Sequence, residues 1–131
     1  MIAIDSSAVV AILRMEIDGP KLLWVVSNAR GRMMSAMSFL ETSIVLARRT
    51  GDPGGWEALD AFVEEAKIAV VPFDDAQAEI ARAAFLKYGK GRHPAALNFG
   101  DCAAYALAKS KGVPLLYKGA DFAKTDIISA L

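Results

Sequence analysis

Short apolar runs alternate with longer amphipathic stretches in the first half of the chain. The run Met1–Ile4 stops at Asp5 and predicts a buried strand, and Arg32–Ala36 predicts a second one. Ser6 and Ser7 are residue types that favour a helix N-cap, so a first helix is expected over Ala8–Leu13. Two further helices are predicted: Lys21–Ala29, and one that opens at Ser38 with Met37, Leu40, Ile44 and Ala47 at the three-to-four spacing of a buried face.

The second half repeats this alternation after a glycine-rich loop at Gly51–Gly55. The continuous apolar run Ile68–Phe73 is typical of a strand covered on both faces. The other predicted elements are a helix over Trp56–Ala66 with Leu59, Phe62 and Val63 inward, a long helix begun by Asp74, a basic loop at Gly89–Pro94, a helix over Cys102–Lys111 ended by Gly112, and strands at Val113–Tyr117 and Ile127–Leu131.

Strands that alternate with helices predict a central, mostly parallel sheet with helices on both sides, a three-layer α/β fold. The 131 residues are expected to form one domain, residues 1–131, and the 54% hydrophobic content is that of a globular protein. Fifteen basic and fifteen acidic residues cancel, so no overall charge indicates a nucleic-acid partner, although a local basic stripe remains possible. The single Cys102, the absence of a signal peptide and the absence of a long apolar run favour a cytoplasmic protein without a membrane span.

Four acids stand where a strand or loop gives way to a helix or turn: Asp5, Glu41, Asp101 and Asp121. In a parallel sheet these junctions gather at one edge, so distant acids can meet there. Each also has a purely structural alternative. Asp5 could cap a helix, Ser38 and Glu41 have the spacing of a capping box, Asn98 or Asp101 could cap the following helix, and Asp121 suits a turn.

Together the four acids indicate a site for a divalent metal ion. Massed carboxylates repel one another unless a cation is present. Hard oxygen ligands select Mg²⁺ or Mn²⁺, and two such ions about 4 Å apart can activate water and stabilise the leaving oxygen of a phosphoryl transfer. The pattern therefore predicts metal-dependent cleavage of a phosphodiester. Other acids have local explanations, such as Asp74, which has Gln77 at capping-box spacing.

The segments that carry these acids resemble PIN domains, and in particular VapC-type toxins of bacterial toxin–antitoxin pairs. The similarity runs from Met1 to about Ile127 and is most specific over Asn98–Lys109. The other matching segments are the opening Met1–Ala8, Ser35–Thr42, Gly89–Asn98 and Leu115–Asp126.

The resemblance implies a PIN-like fold and a sequence-selective endoribonuclease that uses Mg²⁺ or Mn²⁺. It implies Asp5 and Asp101 as the principal metal ligands and Glu41 and Asp121 as the remaining acids of the catalytic quartet. Ser7 matches a hydroxyl position beside the pocket, and Asp126 is a further candidate around the site. It also implies an RNA substrate, a cognate VapB-type antitoxin and a homodimer. A short helix has apolar residues on more than one face, as a contact surface would: Leu22, Leu23, Trp24 and Val25.

Several alternatives stay open at this point. His93 is a candidate general base, but its neighbours Lys90 and Arg92 favour a basic loop that contacts RNA phosphates. Cys102 is expected to be a small buried hydrophobic residue. A receiver-type phosphoacceptor domain has a similar length and α/β pattern, although it needs a pair of acids after the first strand where this chain has only Asp5. A non-catalytic PIN-like binding protein is the other alternative.

Overall fold

A computed structural model describes residues 1–50 and 54–131, so most of the predicted loop Gly51–Gly55 lies outside the described residues. The first strand and the helix that follows it begin within the first six residues, close to their predicted positions. The described elements, in chain order, are β1 (Ile2–Ile4), α1 (Ser6–Leu13), α2 (Gly19–Asn28), β2 (Arg32–Ser35), α3 (Ala36–Thr50), α4 (Gly54–Glu65), β3 (Ile68–Val71), α5 (Asp75–Tyr88), α6 (Phe99–Lys111), β4 (Leu115–Leu116) and a 3₁₀ turn (Phe122–Lys124).

The four strands form one sheet in the order β3-β2-β1-β4, and every pair is parallel. β1 is therefore an inner strand, with Ile2 opposite Arg32 of β2 and Ala3 opposite Leu115 of β4. The predicted final strand Ile127–Leu131 is reduced to a single parallel bridge between Ser129 and Leu115. The sheet direction places the carboxyl ends of β1, β2 and β4 at one edge.

Helices cover both faces of this sheet, which confirms the predicted three-layer α/β fold. Because successive side chains of a strand point to opposite faces, Ala3 joins a core with α5 and α6 while Ile2 and Ile4 join a second core with α1, α2 and α4. None of the helices in the part of the chain that the structure describes is long and apolar enough to cross a bilayer.

The prediction that Ile68–Phe73 is covered on both faces is wrong. Among the described strands, β3 lies at the edge of the sheet and pairs only with β2, and although Ile68 is buried, Ala69 and Val70 are exposed. At the edge of the sheet the helical layers end, so an apolar run there is only partly covered.

The predicted buried face of α3 is also wrong. Ser38, Thr42 and Leu46 are buried, whereas Leu40 and Ile44 are 51% and 41% exposed. The Thr42 hydroxyl donates a hydrogen bond of 2.8 Å to the Ser38 carbonyl within the helix. The Thr42 hydroxyl is satisfied in this way, whereas Ser38 Oγ has no hydrogen-bond partner among the described residues. This face nevertheless packs inward with Leu46, and the apolar stripe faces outward.

Candidate active site

Each of the four acids is positioned by a different element of the fold. Asp5 directly follows β1, Glu41 lies in the second turn of α3, and Asp101 lies in the first turn of α6. Asp121 immediately precedes the 3₁₀ turn that comes after β4. The elements that carry them begin at the carboxyl edge of the sheet, where ligands bind in open α/β folds.

Asp5 is the deepest of the four, with only 2% of its surface exposed. It caps α1, a role for which Ser6 and Ser7 were the expected candidates, and the helix consequently begins at Ser6 rather than Ala8. Its Oδ2 atom accepts hydrogen bonds from the backbone N–H of Ser7 at 3.0 Å and from the Ser7 hydroxyl at 2.5 Å. Ser7 Oγ in turn accepts a bond of 3.0 Å from the backbone N–H of Lys118.

The other carboxylate oxygen of Asp5, Oδ1, is buried and accepts no hydrogen bond from the residues that the structure describes. Burial raises the pKa of Asp5 from 3.8 to about 7, the Ser7 bonds oppose this rise, and the charges of Asp101 and Glu41 add to it. A buried oxygen without a partner is costly in a native protein. This oxygen is therefore available to a group other than the described residues.

Glu41 is held beside Asp5 by residues distant in sequence. The Ser6 hydroxyl donates a hydrogen bond of 2.6 Å to Glu41 Oε1. A Cβ atom built on Gly100 would lie 2.3 Å from Glu41 Oε2, so the carboxylate rests directly against the first turn of α6. The capping-box alternative for Glu41 is wrong, because α3 begins at Ala36 and Ser38 lies inside the helix.

Asp101 is part of the cap of α6, in which Asn98 is the N-cap residue. Its carboxylate accepts a bond of 3.0 Å from the backbone N–H of Asn98, and the Asn98 side chain accepts one of 2.9 Å from the backbone N–H of Asp101, which completes a capping box. Burial raises the pKa of Asp101, the bond from Asn98 lowers it, and the charges of Glu41 and Asp121 raise it further. Asp101 is therefore also close enough to the other acids to be influenced by them.

Asp121 is exposed and forms no side-chain cap on the turn that it precedes. Its link to the site is its charge, which contributes to the raised pKa of Asp101. The four acids thus form one electrostatic cluster. Within residues 1–50 and 54–131, however, no group of three or more Asp, Glu, His or Cys side chains is close enough as it stands to hold a metal ion.

Three other candidate residues have structural contacts of their own. Asp126 accepts a bond of 2.7 Å from the Tyr105 hydroxyl and forms an ion pair of 2.8 Å with Lys109. Burial raises the pKa of Asp126, but the bonds from Lys109 and Tyr105 outweigh burial and lower it overall. His93 Nδ1 accepts a bond of 3.0 Å from the backbone N–H of Ala95, so this nitrogen is occupied within its own loop. Cys102 is buried, as expected.

Sequence reasoning missed two residues that shape the site, Ser6 and Gly100. Ser6 was treated only as a helix cap, although its position beside Asp5 could have indicated a site role. Gly100 lies between Asn98 and Asp101 in the most specific segment of the resemblance, and a glycine inside a first helical turn is a signal of close approach by another group. The close approach here is that of the Glu41 carboxylate.

Comparisons with known proteins identify the family of the chain. The PIN domain family model matches residues 2–128. A ribonuclease VapC of Mycolicibacterium smegmatis is 52% identical over 124 residues, covering 95% of each chain. Ribonuclease VapC30 of Mycobacterium tuberculosis is 49% identical over 124 residues, covering 95% of this chain and 94% of that protein.

Solved structures of similar fold cover almost the whole chain. Mycobacterium tuberculosis VapC20, described as a sarcin-ricin loop cleaving toxin, superposes with a TM-score of 0.77 at 22% identity, covering 98% of this chain and 97% of that one. VapBC2 from Rickettsia felis, bound to a DNA fragment from its promoter, gives a TM-score of 0.75 at 12% identity over 98% of this chain and 96% of its own. The chain therefore belongs to the PIN-domain family and, within it, to the VapC ribonucleases.

Proposed function

We propose that this chain is the toxin of a type II toxin–antitoxin pair. As a single PIN-like domain in the cytoplasm, it would hydrolyse RNA phosphodiesters with Mg²⁺ or Mn²⁺ held by Asp5, Glu41, Asp101 and Asp121. The observation that carries the proposal is the buried Oδ1 atom of Asp5, which has no hydrogen-bond partner among the described residues and belongs to a carboxyl influenced by the charges of Asp101 and Glu41. VapC ribonucleases are in general dependent on a divalent metal ion, in keeping with this arrangement.

The donor set fits a hard divalent cation. All four side chains offer carboxylate oxygens, which Mg²⁺ and Mn²⁺ prefer. A cation beside Asp5 would supply the missing contact at Oδ1 and would offset the burial and the smaller repulsion by Asp101 and Glu41 that raise the pKa of Asp5. When bound, such an ion supplies an acidified water and balances charge on the leaving oxygen.

The chain's own residues would orient the acids and the substrate. The Ser7 and Ser6 hydroxyls fix Asp5 and Glu41, and these bonds leave Asp5 Oδ1 and Glu41 Oε2 as the oxygens available to a cation. The first turns of α3 and α6 are placed to favour a phosphate, because helix N-termini attract anions. The loop residues Lys90 and Arg92 are exposed and are suited to contact the RNA backbone.

A ribonuclease assay tests this proposal against the non-catalytic alternative. The purified chain is expected to cleave RNA with Mg²⁺ or Mn²⁺ and to stop in EDTA. Asp5→Asn and Asp101→Asn should lose most of the activity while they keep the fold, as judged by circular dichroism. Cleavage by either folded variant at the parent rate would refute the assigned roles, and no metal-dependent cleavage by the parent would favour the binding protein. The phosphoacceptor alternative is excluded by membership of the PIN family.

The proposed partners are a cognate VapB-type antitoxin and a second copy of the chain. Several of the similar solved structures are toxin–antitoxin complexes. On α2, Trp24 is 67% exposed and Leu23 is 41% exposed, an apolar surface suited to a protein contact. Sedimentation at micromolar concentration should show a dimer, and a co-expressed neighbouring gene product should co-purify. A monomer that captures no such product would contradict this part of the proposal.

A further inference from the structure

Phe99 is an aromatic side chain that projects into solvent beside the acids. It is the first residue of α6, and 77% of its surface is exposed. The next two residues are Gly100, which contacts the Glu41 carboxylate, and Asp101. An exposed Phe forfeits most of the free energy that its burial would provide, and Phe99 has no evident role in the core.

The ring forms one wall of a groove between α3 and α6. This α3–α6 groove is lined by Leu40, Glu41, Ile44, Arg48, Phe99 and Gly100, and its volume is about 450 Å³. That volume lies within the range of about 300–1,000 Å³ that is typical of small-ligand sites. The groove therefore has room for a nucleotide-sized group directly next to Glu41.

The charges of the groove change sign along α3. Glu41 belongs to the acidic cluster, whereas Arg48 lies seven residues further on, about 10 Å along the helix axis. A strand of RNA must bring its scissile phosphate to the acids and therefore needs cationic contacts elsewhere to offset repulsion. Arg48 provides a guanidinium for a neighbouring phosphate, and Phe99, at the start of α6, lines the same groove.

We propose that Phe99 is a base-stacking residue, and that the nucleobase adjacent to the scissile phosphate stacks on its ring inside the α3–α6 groove. This inference rests on the proposed ribonuclease function. Stacking on an aromatic ring is tolerant of base identity because every base has a π-face. Phe99 would therefore hold the substrate in register with the acids, and the choice of sequence would come from other contacts.

The shape of the surface favours a base over an apolar side chain of a protein partner. Phe99 is the most exposed of the large apolar residues at the groove, with 77% of its surface exposed, against 51% for Leu40 and 41% for Ile44. A partner helix anchors its side chains in concave, well-packed pockets. A projecting flat ring instead offers a face to another planar group.

The first test compares Phe99→Leu with Phe99→Trp. Leucine keeps an apolar side chain but cannot stack, whereas tryptophan can. For a short fluorescein-labelled single-stranded RNA of mixed sequence, Phe99→Leu in an Asp5→Asn background should raise the Kd by about 5- to 150-fold, the range for loss of one stacked base. Phe99→Trp should bind like the Asp5→Asn parent. Phe85→Leu is the control for loss of apolar surface outside the α3–α6 groove: Phe85 is 41% exposed, against 77% for Phe99, and lines a different pocket that Phe99 borders on its other side.

The second test removes the base instead of the ring. Abasic versions of the same RNA are titrated against Asp5→Asn with and without Phe99→Leu. One abasic position should weaken binding to the protein that has Phe99 and leave binding to the Phe99→Leu protein unchanged, because the two changes remove the same contact. Equal abasic penalties in both proteins, or an unaltered Kd for Phe99→Leu, would overturn the proposal.

A third measurement, of antitoxin binding and RNA cleavage, distinguishes an RNA partner of Phe99 from a protein partner. It also distinguishes failure of the base-stacking proposal from failure of the proposed ribonuclease function. Loss of antitoxin binding by Phe99→Leu with RNA affinity unchanged would assign the ring to a protein contact and overturn base stacking. If the parent fails to cleave any RNA with Mg²⁺ or Mn²⁺, the proposed function fails, while the RNA-binding measurements still decide the role of Phe99. In an active parent, Phe99→Leu should raise KM more than it lowers kcat.

Discussion

Asp5→Asn is expected to stabilise the metal-free protein at alkaline pH. Asp5 has a pKa of about 7 in the folded chain, against an ordinary value of 3.8. Below about pH 4 the carboxyl is protonated in both folded and unfolded states, so it carries no charge penalty. The penalty grows as the pH rises from about 4 to 7, where only the folded state retains the proton, and it is complete above pH 7.

The size of this effect follows from the shift in pKa. A shift from 3.8 to about 7 corresponds to an upper limit of about 4 kcal/mol, at about 1.4 kcal/mol for each pKa unit. Asparagine can keep an acceptor oxygen for the two Ser7 bonds. Its new N–H₂ group must find acceptors, and an unsatisfied one costs about 1–3 kcal/mol. The net gain at pH 8 in EDTA is therefore expected to be about 1–3 kcal/mol.

Thermal and urea melts of parent and variant in EDTA, at pH 5 and at pH 8, measure this difference. Each kcal/mol should raise Tm by about 3–5 °C for a chain of this length. Asp5→Asn should be more stable than the parent at pH 8. It should lose most of that advantage at pH 5, because Asp5 of the folded parent is then protonated and uncharged. An advantage that is the same at both pH values, or a variant less stable at pH 8, would refute the reasoning.

Metal ions should reverse the order of stability of the parent and Asp5→Asn. Mn²⁺ that binds only the folded site stabilises the parent by RT ln(1 + [L]/Kd), about 2.7 kcal/mol at a hundred times Kd. Asp5→Asn should gain much less. Asp101→Asn serves as a comparison, since it removes a like charge but weakens the capping bond from Asn98, and it should show a smaller gain in EDTA. Asp126→Asn, which breaks an ion pair outside the site, should be destabilised instead. An equal Mn²⁺ shift in all four proteins would place the ion elsewhere.

Two further substitutions test the position of the Glu41 carboxylate and the role of Asp126. Gly100→Ala should lower activity and Mn²⁺ affinity by at least about tenfold, because the new Cβ would lie 2.3 Å from Glu41 Oε2 and displace that carboxylate; a fully active variant would mean that Glu41 is not needed where it lies. Tyr105→Phe should reduce stability by about 0.5–1.5 kcal/mol through loss of the bond to Asp126, with ribonuclease rates unchanged; a large loss of activity would assign Asp126 to the site.

Local sequence patterns predicted much of the fold. Asp74 caps α5 through Gln77, as its capping-box spacing indicated, and Gly112 ends α6 with a positive φ of 63°. Leu59 of α4, predicted to face inward, is fully buried. These features depend on residues within one or two turns of each other, so the sequence alone contains the needed information.

The face that α3 buries could not be read from periodicity. The helix carries an apolar stripe with Leu40 and Ile44 and a second stripe with Ser38, Thr42 and Leu46. Periodicity favours the more apolar stripe, but the layer against which the helix packs decides which one is buried. The tertiary structure buries the small polar side chains and leaves Leu40 and Ile44 to line the groove beside Phe99.

The sequence by itself was enough to select the four acids as candidate site residues and to predict most of the elements that carry them, because each acid lies at a junction marked by local residue types. Only the tertiary structure decided which contacts define them: the Ser6 hydroxyl reaches Glu41 across 35 positions of sequence, and Gly100 gives room to the Glu41 carboxylate. It also decided that one oxygen of Asp5 is buried without a hydrogen-bond partner among the residues that the structure describes. Burial and charge coupling depend on the packing of three layers, and no local pattern encodes that packing.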